Sequence, residues 1–402
     1  MGPFLRKLLV ALPLFAGTVM TVPHRLAGWE ADAHFEGDVA VQGRLARGLR
    51  DTTGEDLVAH PFRTGSAHFD SEWLFGTYMM AGMGFGQLAL AHPEREPELV
   101  ADMDRCIEGM MGAKAKDYDT TTWGEDPLAD ATLAGTRGHV AYLGYLNLVL
   151  GLRRRLDPRN RYAALNDRVS EALERRFRAT PGFVETFPSA TFPVDNASAI
   201  GSLGLHQRAT GAPHAATILA FRERTNRLVR QDDGLLVQIV DTSGAPRDVG
   251  RGSGTFLAAY FTSFADRELS ASLYTAGKNA LYKEYAGFGT MREHAAAHPG
   301  SPDIDAGPVL FGLGVSSSGF AVGPARAHGD RETFRGLVSL VHLFGLPVDS
   351  SGTRTYTTGG PIGDAILLAM LTAPPPESVA PELTAARFGG TTIASADEGG
   401  AR

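Results

Sequence analysis

Six apolar, small-residue-rich segments recur along this 402-residue chain at a slowly shrinking spacing. They begin near Ser71, Thr136, Ala197, Ser253, Pro308 and Ile362, in steps of about 65, 61, 56, 55 and 54 residues. A sustained period of this length marks a repeat architecture. A more charged helical segment lies between each neighbouring pair. The pattern predicts a string of helical hairpins in which inner and outer helices alternate. Six such hairpins closing on themselves form an all-α (α/α)6 toroid. A ring of this kind puts the six inner-helix N-termini at one rim, so its chemistry is expected from residues just before those helices.

Length alone would suggest two or three domains. The unbroken period instead makes residues 34–373 a single barrel domain with an ample core. The chain is 43% hydrophobic and 21% charged, with a formal net charge of −7 and both signs interspersed. No basic face points to nucleic acid as a partner. Many of the 48 glycines fall within the inner segments. Glycine costs helix stability there, so it should serve close helix packing or leave pocket space. The single cysteine, Cys106, excludes an intramolecular disulfide. It sits in the amphipathic run DMDRCIEGMMGAK and reads as a packed, inert thiol. No Cys/His cluster has zinc spacing, and neither a metal nor a cofactor is expected.

Arg6 and Lys7 precede an apolar run from Leu8 to Val22, broken by Pro13 and Gly17. About 15 apolar residues suit a signal-peptide core better than a full membrane span. Residues 1–33 therefore read as a signal peptide, with Ala31-Asp32-Ala33 as a small-x-small site, or as an uncleaved membrane anchor. Either reading puts the folded part outside the cytoplasm, periplasmic or anchored facing the periplasm. Residues 374–402 are rich in Pro, Gly and Ala and read as a disordered tail. A homo-oligomer stays open.

Other local expectations follow from pattern. VAVQGRLARGLRD supplies an outer helix, and KDYDTTTWGEDPLAD reads as a polar loop. LLVQIVD is a brief strand or an extended lip. ELSASLYTAGKNALYKEYA is read as helical throughout, and the fifth inner helix is expected from Pro308 onward. GRGSGT fits neither a Walker loop nor a dinucleotide fingerprint.

Polar residues cluster at the inner-helix starts. They are Asp70 and Glu72; Trp123, Glu125, Asp126, Arg137 and His139; Asp195 and Asn196; Arg251; Asp303 and Asp305; and Tyr356. Helix N-termini add free N–H groups and positive potential at the same rim. Asp and Asn before a helix are also favoured caps, so Asp70 and Asp195 each carry two readings. Two acids one residue apart, Asp303 and Asp305, exceed what one cap needs. His139 is either a packing histidine or a pocket group. Tyr142 and Tyr145, three apart, share a helix face and either fill the core or line the cavity.

Several segments resemble the linalool dehydratase/isomerase family, whose members have an (α/α)6 barrel and an exported precursor. The carrying stretches are WGEDPLAD, GYLNLVLGL, FPVDNASAIGSLGL, DGLLVQIVDTSG and DIDAGPVLFGLG. The resemblance implies a cofactor-independent site that dehydrates or isomerises a small, largely apolar alcohol. The Asp195-Asn196 pair matches the family's pattern. Tyr145 stands where the family has a histidine, and Phe192 and Gly201 where it has cysteines. Dehydration needs a proton donor at the leaving hydroxyl and a base at the adjacent carbon. The acid is then expected among Asp195, Asp305 and Asp70. Tyr145 joins them as the group that orients the hydroxyl or faces a cationic intermediate. Asn196, Tyr142, His139, Glu125, Trp123, Arg251 and Gln238 are expected to bind the substrate. At the level of architecture the ring also resembles six-hairpin glycosidases, where two rim carboxylates cleave a glycosidic bond. A third reading is a small-molecule binding protein on the same barrel. A rim poor in aromatics would disfavour sugar, and a pocket without an acid/base pair would favour simple binding.

Overall fold

The computed structural model describes residues 17–18, 22–57, 62–241, 243–301, 303–304 and 306–380. In chain order its main helices are α1 (Val39–Asp51), α2 (Ala67–Ala91), α3 (Glu96–Met111), α4 (Ala113–Trp123), α5 (Val140–Leu156), α6 (Ala163–Ala179) and α7 (Pro193–Thr210). They continue with α8 (Ala215–Arg224), α9 (Gly252–Thr262), α10 (Arg267–Leu281), α11 (Val315–Ala327), α12 (Arg331–Gly345) and α13 (Gly360–Leu371). Helices α2, α5, α7, α9, α11 and α13 form the inner ring. Each packs on the next, and α13 packs back on α2, so the (α/α)6 toroid closes. Helix α1 comes first in the chain but covers the last inner helix. Its Gln42 amide donates to the Leu371 carbonyl at 2.8 Å, which locks the two ends together.

Helical period explains the two layers. In α2 nearly every residue from Leu74 to Ala89 is buried, because an inner helix meets neighbours on all sides. In the outer helix α6, Val169, Ala172, Leu173 and Phe177 make one buried stripe, and the charges face water. Glycine serves both expected purposes. A Cβ on Gly201 would lie 2.4 Å from the Phe261 carbonyl oxygen, and one on Gly84 2.5 Å from Leu368. Both positions let inner helices approach closely. A Cβ on Gly319 would meet nothing within 4 Å, so that glycine faces open space.

Inner-helix N-termini share one end, and the loops before them are tied to each other around the rim. Val140 N–H donates to Glu185 O at 3.4 Å and Gly252 N–H to Glu293 O at 2.7 Å. Thr191 bridges Val240, and Arg292 bridges Leu313. Three antiparallel hairpins decorate this end: β1–β2 (Tyr282–Tyr285, Phe288–Met291), β3–β4 (Val309–Leu310, Leu313–Gly314) and β5–β6 (Pro347–Ser350, Thr353–Tyr356).

Several local expectations are corrected. The polar stretch after Gly112 is the helix α4, whose Ala115, Tyr118, Asp119 and Trp123 are buried. Its overall polarity hides that spacing. The fifth inner helix begins at Val315, not Pro308. Phe311 and Gly312 have φ of 53° and 82°, left-handed values that turn a hairpin and cannot continue a helix. Helix α10 ends at Leu281, and YKEY pairs as β1 instead. LLVQIVD takes the extended-lip form, with isolated bridges from Leu236, Val237 and Val240.

Packed chain extends beyond residues 34–373 at both ends. Ala31 and His34 are fully buried, and His342 Nδ1 donates to the Ala27 carbonyl at 2.6 Å. Ala380 is buried, its N–H donating to Ser263 O at 3.0 Å. Most of the expected leader, residues 1–16 and 19–21, and the tail from 381 lie outside the described residues. No described helix is long and apolar enough to cross a membrane.

Asp364, in the first half of α13, is only 6% exposed. Burial pushes its carboxyl up to about 7, partly offset by the Tyr356 N–H that donates to it at 3.1 Å. A carboxyl with a folded pKa above its unfolded value binds more protons when folded. Its contribution is therefore lost as pH rises from about 4 through 7. Asp364→Asn keeps the acceptor and removes the charge. It should raise stability at pH 8 by about 1–3 kcal/mol and change it little at pH 4. Thermal unfolding of both proteins at both pH values is the check, and an identical gap at the two would refute it.

Candidate active site

Two carboxylates, Glu72 and Asp195, stand in the first turns of two different inner helices at the rim. Asp195 lies in the first turn of α7, where the N-cap is Phe192 and no side chain caps the helix. Its carboxylate instead accepts from the Tyr145 hydroxyl at 2.7 Å and the Thr186 hydroxyl at 2.8 Å. Asp195 is 9% exposed, so these bonds hold a nearly buried acceptor facing α5. Glu72, in the first turns of α2, stands 3.7 Å from His68 Nε2. Burial lowers the His68 pKa, which favours a neutral imidazole beside Glu72.

Tyr118 of α4 lies within the electrostatic reach of both acids. Burial first, then the negative charges of Asp119, Glu72 and Asp195, holds its phenol well above the usual range. The ring is wedged against Phe75 at 5.4 Å, His68 at 5.9 Å and Phe187 at 6.3 Å. Tyr118 is 2% exposed, yet its hydroxyl makes no hydrogen bond among the described residues.

Aromatic rings surround this point. Phe62, Phe69, Trp73, Tyr145, Phe187 and Phe192 are all half-buried around the mouth. Phe62 meets Trp73 edge-on at 5.9 Å, Phe187 meets Phe192 at 6.5 Å, and Tyr145 meets Phe261 at 5.4 Å. Across the ring, Gln238 is 5% exposed. Its amide makes no hydrogen bond among the described residues, and its Oε1 lies 3.0 Å from the Cβ position of Gly254.

The other sequence candidates have different surroundings. Asp70 accepts from the Thr64 N–H and hydroxyl, both at 2.7 Å, and so fastens the loop before α2. Asn196 is fully buried and clamps that same kind of loop. It accepts from Val184 N–H at 2.9 Å and donates to the Val184 and Phe192 carbonyls. Tyr142 is fully buried, stacks on Phe75 at 5.0 Å, and donates to the Met110 carbonyl at 3.2 Å. His139, at φ 59°, has Asp119 on Nδ1 at 2.7 Å and Glu125 on Nε2 at 3.4 Å. Trp123 covers that ring at 4.6 Å, and Arg137 covers Trp123 while pairing with Glu125 at 2.7 Å. Glu125, His139 and Trp123 thus satisfy one another. Arg251 is 2% exposed and pairs with Asp303 at 2.8 Å. Asp305 lies outside the described residues. Among the described residues, Asp232, Asp233 and His298 are close enough to share a cation, with Asp232 already paired to His298 at 2.6 Å.

Sequence reasoning names Glu72 among the rim residues but not among the acids. It misses Tyr118 and His68. Tyr118 is hidden in a run read as loop, and the signal that finds it is its i, i+3 relation to Ala115 with Trp123 five residues on.

No family model matches the chain, and no curated protein matches it. Solved structures do. An inactive variant of the alpha-1,6-mannanase GH76A of Salegentibacter sp., in complex with alpha-1,6-mannotriose, aligns over 83% of this chain and 98% of its own at TM-score 0.53 and 12% identity. An unsaturated glucuronyl hydrolase specific for heparin aligns over 85% and 96% at TM-score 0.54 and 11% identity. The unsaturated glucuronyl hydrolase of Bacillus sp. GL1 aligns over 83% and 96% at TM-score 0.51 and 14% identity. These likenesses establish the six-hairpin barrel. They also correct the resemblance drawn from sequence: the solved structures that this chain matches here are mannanases and glucuronyl hydrolases, and not linalool dehydratase/isomerase. The geometry agrees. Where that family's histidine would act, Tyr145 spends its hydroxyl on Asp195. Phe192 packs on Phe187 in place of the first cysteine, and Gly201 presses on the α9 backbone in place of the second. The dehydratase/isomerase reading is therefore withdrawn, and with it the apolar alcohol as substrate.

Proposed function

We propose that the chain is a carbohydrate-active enzyme that cleaves a glycosidic bond at the inner-helix N-terminal mouth, with Glu72 and Asp195 as its carboxylate pair. The observation that carries this reading is a pair of carboxylates on two inner helices, Glu72 beside His68 at 3.7 Å and Asp195 under the Tyr145 hydroxyl at 2.7 Å, with the half-buried aromatic side chains of the mouth around them. Aromatic rings offer flat apolar faces to sugar C–H surfaces, and a paired acid and base separates this site from a simple binding pocket.

Two carboxyl groups suffice for glycoside cleavage by water. Asp195, fixed by two hydroxyl donors, is the carboxylate that takes a proton from the attacking water or attacks the anomeric carbon itself. Glu72 is the acid that protonates the leaving glycosidic oxygen as its bond to the anomeric carbon breaks. Tyr118 donates to a sugar hydroxyl between them. Gln238 offers a neutral amide to the ring's far side.

Activity against 4-nitrophenyl glycosides, alpha-1,6-mannotriose and unsaturated glucuronyl disaccharides tests the reading. The chain should turn over at least one of these classes, and Glu72→Gln should lower kcat by about 10²–10⁴-fold with the melting temperature unchanged. Turnover that survives Glu72→Gln at full rate would remove Glu72 from the mechanism. Absence of turnover across all three classes would sink the proposal.

A further inference from the structure

Beside the mouth, at the N-termini of α9 and α11, lies a cleft of about 260 Å³ lined by Arg292, Glu293, His294, Pro299, Val309 and Gly312 among others. It is separate from the Glu72–Asp195 pair. We infer that this cleft is a subsite for a uronic acid residue, a sugar that carries a carboxylate beside its hydroxyls. This rests on the carbohydrate reading above and names the chemical class of the substrate.

Charge comes first. Arg292 makes no ion pair among the described residues. Its one hydrogen bond is a long one, from Nε to the His294 carbonyl at 3.4 Å. The terminal nitrogens therefore face the cleft with nothing to neutralise them. The two acids nearby are already engaged. Glu293 is fully buried and takes the hydroxyls of Ser253, at 2.6 Å, and Ser317. Asp303 pairs with Arg251 at 2.8 Å. A guanidinium fork without a partner fits a carboxylate bidentately.

Space above the fork is kept by glycine. A Cβ on Gly312 would lie 2.9 Å from Arg292 Nη2, and Gly312 has φ 82°. A side chain there would fill the cradle and strain the backbone.

His294 makes the site a sugar site and not a bare anion hole. Its Nδ1 faces the Gly250 carbonyl at 3.5 Å. Nε2 is buried and has no partner. It calls for a polar partner, and a sugar hydroxyl, which both donates and accepts, supplies one. Next to Gly312, the Phe311 ring stands wholly exposed at the hairpin tip, where a pyranose face can lie against it.

Ligand-observed NMR on the full chain at constant ionic strength reads this directly, with D-glucuronate, D-glucose and inorganic sulfate as probes. Glucuronate should bind, and glucose and sulfate should bind at least roughly tenfold more weakly, a factor worth one well-made charged contact. Arg292→Gln should weaken glucuronate by a similar factor, and Arg292→Lys should fall between the two because it keeps charge without the fork. Phe311→Ala should weaken glucuronate and leave sulfate alone. Equal binding of sulfate and glucuronate, or glucuronate binding indifferent to Arg292→Gln, overturns the inference. If Arg292→Gln does not fold, Arg292→Lys and His294→Phe carry the same decision. Binding should persist in Glu72→Gln. A barrel that cleaves no glycoside but binds glucuronate through Arg292 would reject the enzyme and keep the subsite; the opposite outcome would do the reverse.

Discussion

Asp195→Asn should abolish turnover of whichever glycoside the chain cleaves, lowering kcat by about 10³-fold, a loss in the range for a positioned acid–base group. Its effect on folding should be small. Asparagine keeps one oxygen to accept the Tyr145 hydroxyl, and Asp195 caps no helix, so no cap is forfeited. The amide nitrogen, however, donates where the carboxylate accepted. The Thr186 hydroxyl then has to turn, which it can do by rotating about its own bond. Thr186→Val separates the two roles. It removes the donor to Asp195, together with the acceptor of the Phe192 N–H at 3.1 Å, and leaves the carboxylate in place, so kcat should fall by roughly tenfold, the worth of a hydrogen bond. Steady-state kinetics and thermal unfolding of both variants decide the matter. A melting temperature that collapses in Asp195→Asn alongside activity would make Asp195 a scaffold residue. Full activity in Asp195→Asn would exclude it from the chemistry.

The ring itself was legible because a closed barrel imposes a period on composition. Each inner helix is surrounded, so each is apolar on all faces, and that signature survives without any motif. The rim is another matter. Its loops are short, bonded to one another and built from left-handed turns such as Phe311-Gly312, which leave no periodic trace. The fifth inner segment shows the cost. Pro308 to Gly314 is as apolar as the helix that follows, and composition alone merged them. The site was half legible for a related reason. Asp195 stands out because a polar pair begins an apolar helix. Asp70 stands out equally, yet its carboxylate closes a turn onto Thr64, and only coordinates separate it from Glu72 two residues on. Tyr118 comes from outside the inner ring altogether. It reaches the mouth because α4 inserts between two hairpins, an event no repeat period predicts.

The family resemblance failed in an instructive way. FPVDNASAIGSLGL and GYLNLVLGL are the runs where inner helices pack through small residues, and the barrel constrains those runs wherever it occurs. Gly144 approaches Ser198 and Ala199, and Gly201 approaches Phe261, at distances no larger residue fits. Likeness in such segments reports the packing of α5, α7 and α9. The side chains that carried the family's chemistry were the ones that differed.

Arg176→Ala should be among the most destabilising single changes in the barrel, at about 3–5 kcal/mol. The side chain is fully buried in the outer helix α6. Among the described residues it has no carboxylate partner. Its guanidinium donates to the carbonyls of Arg137 and Gly138 from Nε at 2.9 and 3.0 Å, of Ala172 from Nη1 at 3.1 Å, and of Thr132 from Nη2 at 2.7 Å. Burial pulls its pKa down to about 10, so the charge persists at neutral pH and strengthens each bond. Three of those carbonyls belong to the segment 132–138, which leads into α5 and carries Arg137 just before His139. Removing the fork leaves the Arg137 and Gly138 carbonyls without its donors, while the Thr132 carbonyl keeps only the Gly135 N–H at 3.2 Å. Lysine offers no planar fork, so Arg176→Lys should recover only part of the loss. The melting temperature should drop on the order of 5–10 °C for Arg176→Ala. Activity per folded molecule should change little, because the segment borders Glu125 and His139 and not the Glu72–Asp195 pair. A drop under one degree would show that water reaches these carbonyls. A selective loss of activity in fully folded protein would draw the His139 network into the chemistry.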